Sequence, residues 1–168
     1  MPAYIELTRG YKAIVDERFA EELRKRKWHI RRQSKSSVIY AGGNIKRDGR
    51  FCTLLMHLEV LRLAGVKPGK HTDHRDGDGL NNQLDNLRVA TESQNGRNRR
   101  VNKNSTCGYK GVCYRPNGTW RARIQVGKRR IALGNFGTAE EAAEAYNRAA
   151  VQYSGEFARL NRINEASA

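Results

Sequence analysis

Short runs of alternating apolar and polar residues dominate the first fifty positions of the chain. A period of two is typical of half-buried strands, whereas apolar residues spaced three and four positions apart favour a helix. One stretch with helical spacing, Glu17–Lys27, ends in a run of basic residues. The pattern predicts this helix together with short strands at Tyr4–Leu7, Tyr11–Val15, Trp28–Arg32 and Val38–Ala41.

The middle of the chain combines two apolar strands with a long polar excursion between them. A helix over His57–Ala64 should end at Gly65, because glycine commonly follows the last turn of a helix. The excursion, Asp76–Asn86, is rich in Gly, Asn and Asp and is typical of a loop. Thr91 can cap a further helix that begins at Glu92. The predicted order is strand His71–His74, loop, strand Leu87–Ala90 and helix.

The C-terminal part predicts a small sheet backed by one helix. Alternation over Trp120–Val126 places apolar side chains on one face and basic or polar side chains on the other. Thr138 and Glu141 have the spacing of a capping box, and the helix should extend to about Tyr153. The whole pattern predicts an α+β fold, in which a small ββα module precedes a three-stranded antiparallel sheet packed on one helix.

The net charge of the chain indicates the kind of partner that it binds. Its 168 residues include 32 Lys and Arg against 17 Asp and Glu, a formal net charge of +15. Such an excess favours a polyanionic partner, and nucleic acid fits better than an anionic membrane surface. A mean hydropathy of −0.79 leaves too little apolar material for one large core. Two small modules therefore fit the composition better than one large domain.

The N-terminal sequence and the spacing of the cysteines indicate the compartment in which the protein works. No run approaches the length of a membrane-spanning helix, and the N-terminus lacks the order of a secretory signal. We therefore expect an intracellular protein of the cytoplasm or nucleoid that is not secreted and has no membrane partner. Cys52, Cys107 and Cys113 contain no C-x-x-C pair, so we expect reduced thiols and no structural zinc.

Polar residues around the two middle strands suit phosphodiester hydrolysis. That reaction needs a base to activate water and a cation to stabilise charge on the phosphate. The imidazole of His74 can be the base near neutral pH. Asp73 and the amide oxygen of Asn95 are hard donors suited to Mg²⁺ or Mn²⁺. Adjacent residues of a strand point to opposite faces, however, so spacing alone does not bring Asp73 and His74 into one site.

The middle segment reads D-H-R-D-G-D-G-L-N-N from Asp73, N-L-R-V-A-T from Asn86 and S-Q-N up to Asn95. It resembles the HNH homing endonucleases of phage introns. In that family a ββα-metal motif has an Asp–His pair at the end of its first strand, and Asn residues follow the His by 12 and 21 positions, as Asn86 and Asn95 do here. His57 occupies the family's M-H-R position, but Leu58 replaces the Arg, so packing and DNA contact both stay open for His57.

The resemblance implies a role for each of the four matched residues. His74 would be the general base that activates water, and Asp73 and Asn95 would hold the divalent metal. Asn86 would brace the loop and orient the imidazole through its backbone carbonyl or amide. These roles define a ββα-metal nuclease module.

The C-terminal segment contains Y-K-G-V from Tyr109, W-R-A from Trp120, L-G-N-F from Leu133 and T-A-E-E-A-A from Thr138. It resembles the plant ethylene-response-factor, or Apetala-type, DNA-binding domain over about Thr106–Asn161. The resemblance implies that a basic sheet face enters the major groove of double-stranded DNA. The expected DNA-binding residues are Lys110, Arg115, Arg121, Arg123, Gln125 and Arg130.

Departures from the plant pattern leave the preferred DNA sequence open. They fall at four of the positions that contact DNA in the family: Cys113, Asn117, Arg123 and Ala132.

The two resemblances predict the domain organisation and the function. A β-rich accessory region (1–50) precedes an HNH nuclease (51–100), a linker (101–105), an Apetala-type domain (106–161) and a tail (162–168). They imply a mobile, often phage-encoded, endonuclease that is directed to chosen DNA sites and has a homing role. One ββα-metal site acts on one phosphate at a time, so a nick is the simplest product and no oligomer is required.

Two other functions are compatible with parts of the sequence. A non-catalytic DNA-binding regulator would not need to retain Asp73, His74, Asn86 and Asn95, yet all four are present. An RNA-binding protein fits the charge, but the exposed basic face lacks the aromatic platforms on which readers of single-stranded RNA stack bases.

Overall fold

A computed structural model describes residues 1–32, 38–67, 69–99, 101, 105 and 107–163. Contacts divide the chain into two compact units, Met1–Glu92 and Ser93–Ala168. Among the residues that the structure describes, no helix is long and apolar enough to cross a membrane.

The first unit begins with a two-stranded hairpin, one helix and a three-stranded sheet. Strands β1 and β2 pair antiparallel, and helix α1 follows directly. The next three strands pair antiparallel in the order β3-β4-β5. The bounds are β1 Pro2–Glu6, β2 Lys12–Asp16, α1 Glu17–Arg24, β3 Trp28–Arg32, β4 Ile39–Arg47 and β5 Arg50–Leu55.

Three features of this region differ from the sequence prediction. Strand β4 continues to Arg47 rather than ending at Ala41. Helix α1 ends at Arg24 rather than Lys27, where the Leu23 carbonyl accepts a 2.7 Å hydrogen bond from the Trp28 indole N–H. Strand β5 was not predicted, because its first residues do not alternate in polarity. Its signal is the Asp-Gly pair before it: Asp48 and Gly49 adopt φ of 48° and 77°, as a tight two-residue hairpin turn requires.

The second half of the first unit contains helix α2, Met56–Leu63, and the antiparallel pair β6, His71–His74, and β7, Leu87–Ala90. Apolar residues from β1, β2 and α1 pack in one core with Met56 and Val60 of α2, both fully buried. The strands of residues 1–50 therefore share a core with α2. The five-part division derived from the sequence stays a prediction.

The second unit is a three-stranded antiparallel sheet packed against a helix, which confirms the predicted fold class. The strands run in the order β10-β9-β8, and the register shifts between Ala132 and Gly134. The predicted capping box is present, with reciprocal 3.2 Å hydrogen bonds between Thr138 and Glu141. The bounds are α3 Glu92–Arg97, β8 Val112–Tyr114, β9 Trp120–Val126, β10 Arg129–Phe136 and α4 Ala139–Ser154.

The faces of the second sheet follow the predicted alternation in its central strand. Ala122 and Ile124 are buried in the clusters that include α4, while Arg123 and Gln125 are exposed. Tyr114 differs, because it is 55% exposed although alternation places it on the face of buried Val112. Its ring lies 4.9 Å from that of Trp120, at the margin of the sheet.

Candidate active site and nucleic-acid interface

The imidazole of His74 lies in a buried group of rings at the end of β6. Asp73 and His74 are each 5% exposed. The ring of His57, on α2, stands perpendicular to that of His74 at 5.1 Å, and the Tyr40 ring, on β4, lies 5.7 Å away. The amide oxygen Oδ1 of Asn82 lies 3.4 Å from Nε2 of His74. Side chains from three separate segments therefore surround the predicted base.

Burial keeps both histidines of this group neutral. It lowers the pKa of His57 to about 3, and the neighbouring His74 adds to that effect. Burial also lowers the pKa of His74, although Asn82 and the carboxylates of Asp76, Asp73 and Asp78 oppose the shift. A neutral imidazole is the form that can accept a proton, so at neutral pH His74 has the state that a general base needs.

Asp73 forms a buried ion pair with Arg88. The two residues are directly opposite in the β6–β7 register. Both Nε and Nη2 of Arg88 donate to Oδ2 of Asp73, at 2.9 and 2.7 Å, and both side chains are less than a tenth exposed. Arg88 therefore balances the carboxylate charge and fixes its orientation.

Asn86 and Asp76 close the base of the polar loop that follows His74. The Asn86 amide donates to Oδ1 of Asp76 at 3.0 Å, and its Oδ1 accepts from the Asp76 backbone N–H at 3.1 Å. Asn86 also donates to the Asn81 carbonyl at 2.8 Å. The Asp76 carboxylate further accepts from the Asp78 backbone N–H and the Asn81 amide, each at 2.8 Å. This network gives Asn86 the contacts of a loop brace.

Strand β2 fastens the same loop to the core. The Ile14 backbone N–H donates to the Leu80 carbonyl at 2.9 Å, and its carbonyl accepts from the Asn82 N–H at 2.7 Å. Further along, Oδ2 of Asp16 accepts from the Leu84 N–H at 2.8 Å. Asn82 is fully buried at this junction.

The donors available for a divalent metal are oxygen atoms. Asp73 offers a carboxylate. Arg88 donates to its Oδ2 and so orients the group, as residues behind a metal ligand commonly do. Asn95 lies half-buried on α3, in the second unit, and its role as the other ligand stays a prediction. Among the described residues, no group of three or more His, Cys, Asp and Glu is arranged to hold a metal. The chemistry of this donor set fits a hard cation that completes its shell with water and phosphate oxygens.

The six predicted DNA-binding residues do not have the same surroundings. Arg123, Gln125 and Arg130 are exposed, and Arg130 donates to Gln125 across the β9–β10 pair at 3.3 Å. Arg115 and Arg121 are half-buried. The exposed part of the predicted face is thus centred on β9 and β10.

Lys110 lies partly buried and is directed at the end of α3. Its ammonium donates to the backbone carbonyls of Arg97 and Arg99. Burial lowers the pKa of Lys110 to about 8, with Arg159 and Arg99 adding to the shift. The Lys110 backbone also exchanges hydrogen bonds with the Asn161 side chain, at 2.6 and 3.1 Å.

Sequence reasoning missed three residues of the candidate active site: Tyr40, Asn82 and Arg88. Tyr40 lies in a strand far from His74 along the chain, and no local pattern identifies it. Arg88 had a signal, because it is directly opposite Asp73 in the predicted strand pair. Asn82 had only a weak signal, as one of many polar residues in a loop.

Comparison with known proteins identifies the family to which the chain belongs. An HNH endonuclease family model matches residues 57–97, and an AP2 domain model matches residues 107–156. The uncharacterized HNH endonuclease L560 of Acanthamoeba polyphaga mimivirus is 31% identical over 139 residues, 82% of this chain and 72% of the relative. The chain belongs to the HNH endonuclease family and carries an AP2 domain.

Other relatives match parts of the chain. Protein 3.8 of Escherichia phage T7 is 31% identical over 107 residues, 62% of this chain and 88% of the phage protein. The ethylene-responsive transcription factor ERN1 of Medicago truncatula is 39% identical over 90 residues, 52% of this chain. The chain spans only 34% of that plant relative's length.

Replacing Arg88 should destabilise the first unit strongly. In Arg88→Met the buried Asp73 carboxylate loses its arginine, and removing one partner of a buried ion pair costs about 3–5 kcal/mol. The measurement is urea unfolding followed by circular dichroism. The matched control is Lys12→Met, which removes the exposed Lys12–Glu6 pair and should cost less than about 1 kcal/mol. Equal losses for the two variants would contradict this role of Arg88.

His57 should make the free energy of unfolding depend on pH below neutrality. As pH falls from about 6.5 towards 3, unfolded His57 binds a proton while folded His57 does not. The unfolded state then binds more protons, so stability falls by about 1.4 kcal/mol per pH unit for this group. Above about pH 6.5 His57 is neutral in both the folded and the unfolded state, so its protonation no longer lowers the free energy of unfolding.

The variant His57→Phe keeps a planar ring and removes the titration. The free energy of unfolding is measured with urea at a series of pH values. Between about pH 3 and 6.5 it should fall less steeply with decreasing pH in this variant than in the wild type. Identical slopes would mean that His57 is not held neutral in the folded protein.

Proposed function

We propose that this protein is a DNA endonuclease that hydrolyses phosphodiester bonds at sites selected by its AP2 domain. The observation that carries the proposal is the pair formed by a neutral, buried His74 and the adjacent Asp73, oriented by Arg88, at the end of β6. Membership of the HNH endonuclease family supports the same activity. DNA as the substrate agrees with the predicted intracellular location.

In the proposed reaction His74 is the general base. Its imidazole takes a proton from a water molecule, and the water oxygen forms a bond to phosphorus. The bond from phosphorus to one ester oxygen then breaks, and that oxygen leaves with a proton from solvent. Neutral His74 is available for this step because its site is buried.

The other residues of the site position and balance charge. Asp73 and Asn95 would hold Mg²⁺ or Mn²⁺, which when bound supplies positive charge for the phosphate oxygens. Arg88 orients Asp73 and keeps its carboxylate from repelling the DNA backbone. Asn86 braces the loop through Asp76. A single site acts on one phosphate, so we infer a nick as the product. The likeness to mobile HNH endonucleases supports a homing role.

The second unit would select the DNA sequence at which the protein cuts. Exposed Arg123, Gln125 and Arg130 lie on the sheet face opposite α4, where a duplex can approach without displacing the helix. Phosphate contacts from such residues give binding that weakens as salt rises, and contacts to base edges give sequence preference. Arg115, Arg121 and Lys110 remain proposed DNA contacts.

A second function has support from the plant relatives. Several similar proteins are named as transcription factors, and this chain carries an AP2 domain. A regulator would bind DNA through this domain without cutting it. The experiment on cleavage separates the two functions.

Cleavage should depend on His74 and on a divalent metal. Sequences bound by the full chain are first enriched from random duplexes in EDTA, and the best binder is cloned into a supercoiled plasmid. With Mg²⁺ the wild type should convert this plasmid to the nicked form, whereas EDTA should prevent the conversion. The variant His74→Ala should lose at least about 100-fold in rate, the typical contribution of a general base, and retain binding.

The matched control for cleavage is His29→Ala, which removes a histidine of β3 outside the proposed machinery and should nick normally. A wild-type protein that binds the plasmid tightly but leaves it intact with Mg²⁺ and Mn²⁺ would support the regulator instead.

Binding should depend on the exposed arginines of β9 and β10. Arg123→Ala and Arg130→Ala should each weaken binding to the enriched duplex and lower the slope of log K against log salt by roughly 0.9. The matched control, Arg148→Ala, removes an exposed charge from α4, on the other side of the sheet. Fluorescence anisotropy at several salt concentrations measures both effects. A control variant that weakens binding as much as Arg123→Ala would show that net charge, and not this face, binds DNA.

A further inference from the structure

The amide of Asn82 is oriented by contacts that do not involve His74. Its side-chain NH₂ donates to the Leu80 carbonyl at 3.0 Å, and its backbone N–H donates to the Ile14 carbonyl at 2.7 Å. Turning the amide over would bring Oδ1 against the Leu80 carbonyl, so that two acceptors would face each other. The residue is fully buried, and water cannot compensate for such a mismatch. The surroundings of the Asn82 amide therefore favour the orientation in which Oδ1 faces His74.

An oxygen in this position constrains the proton of the imidazole. An amide oxygen is only an acceptor, and a neutral imidazole has one N–H and one nitrogen lone pair. Oδ1 of Asn82 lies 3.4 Å from Nε2 of His74, so a favourable contact requires the proton on Nε2. The lone pair must then be on Nδ1. The rings of His57 and Tyr40, at 5.1 and 5.7 Å, pack against the imidazole and limit its rotation away from Asn82.

We propose that Asn82 is a positioning residue that holds His74 in the Nε2-protonated tautomer and so directs the lone pair of Nδ1 at the attacking water. This inference rests on the proposed role of His74 as the base and deepens it. In the proton transfer, one O–H bond of water breaks, and the proton becomes bonded to Nδ1. Oδ1 of Asn82 keeps its hydrogen bond from Nε2 as the ring becomes positively charged.

The position of Asn82 in the fold makes it suited to this role. Its backbone is tied to β2, in a hairpin where Ala13 and Val15 are fully buried. Its amide is thus anchored to the core, although it belongs to a polar loop. A rigid outer partner of this kind fixes the tautomer and orientation of a histidine.

The test must distinguish an effect of Asn82 on the His74 tautomer from a general effect of Asn82 on the stiffness of the loop. Asn82→Leu has a similar volume and removes the acceptor. The matched control is Asn81→Leu, which removes a neighbouring amide that donates to Asp76 at 2.8 Å and accepts from the Gln83 N–H at 3.3 Å. Both variants loosen the loop, but only Asn82→Leu removes the partner of Nε2.

The experiment is two-bond ¹H–¹⁵N correlation NMR on the full chain labelled at its four histidines, recorded near pH 8, well above the usual histidine pKa of about 6.5. The His74 signals are assigned by their loss in His74→Ala. We expect the protonated-nitrogen shift at Nε2 and the lone-pair shift at Nδ1 in the wild type and in Asn81→Leu. In Asn82→Leu the two shifts should move towards each other as the tautomers mix.

Two outcomes would overturn the proposal: a wild-type His74 protonated at Nδ1, or an Asn82→Leu spectrum with the wild-type tautomer. The first depends only on the wild-type spectrum and its assignment through His74→Ala, so a poorly folded Asn82→Leu does not remove the test. In nicking assays Asn82→Leu should lower kcat by about 10- to 100-fold, the usual effect of an outer partner, with unchanged DNA affinity. Because the NMR readout needs no cleavage, an inactive wild type with the expected tautomer would reject the nuclease function and leave only the control of the His74 tautomer by Asn82.

Discussion

Two backbone hydrogen bonds at Ile14 hold the loop that follows His74. One joins the Ile14 N–H to the Leu80 carbonyl, and the other joins the Asn82 N–H to the Ile14 carbonyl. Ile14 belongs to the β1–β2 hairpin, whose neighbouring residues are among the most deeply buried in the chain. The loop is therefore fixed to the core at the point from which the Asn82 amide reaches the imidazole. Without this attachment, a stretch of Gly, Asn and Asp would have little reason to adopt one conformation.

The acidic residues of this region are used in several ways. As a cluster in a basic chain they indicate a cation site, but Asp76 is occupied in accepting hydrogen bonds from Asp78, Asn81 and Asn86. Asp73 is balanced by Arg88 in a buried pair. Buried or crowded carboxylates are costly unless they are paired in this manner. Hydrogen bonds among the carboxylates and amides of the loop therefore add to its attachment to β2.

The second unit separates its charges by face. Basic and polar side chains are exposed on β9 and β10, while the packed side is formed by small residues of α4 such as Ala142 and Ala149. Small side chains let the helix approach the sheet closely and leave the other face open for a duplex. Lys110 differs from the exposed basic residues of β9 and β10, because its ammonium donates to carbonyls at the end of α3. A lysine that resembles a DNA contact in sequence thus also has a local structural partner.

The sequence by itself determined the α+β fold class, the capping box of α4, the faces of β9 and the two families that the chain resembles. Each of these depends on residues close together in the chain, where periodicity and motif spacing contain the information. It did not determine β5, the contact of Asn82 with His74, or the group formed by Tyr40, His57 and His74. Those depend on the pairing of β4 with β5 and on the attachment of the loop to β2, which join residues far apart in sequence. Arg88 had a local signal because it lies opposite Asp73 in the strand pair, but only the tertiary structure could give His74 its buried ring partners, which come from distant segments.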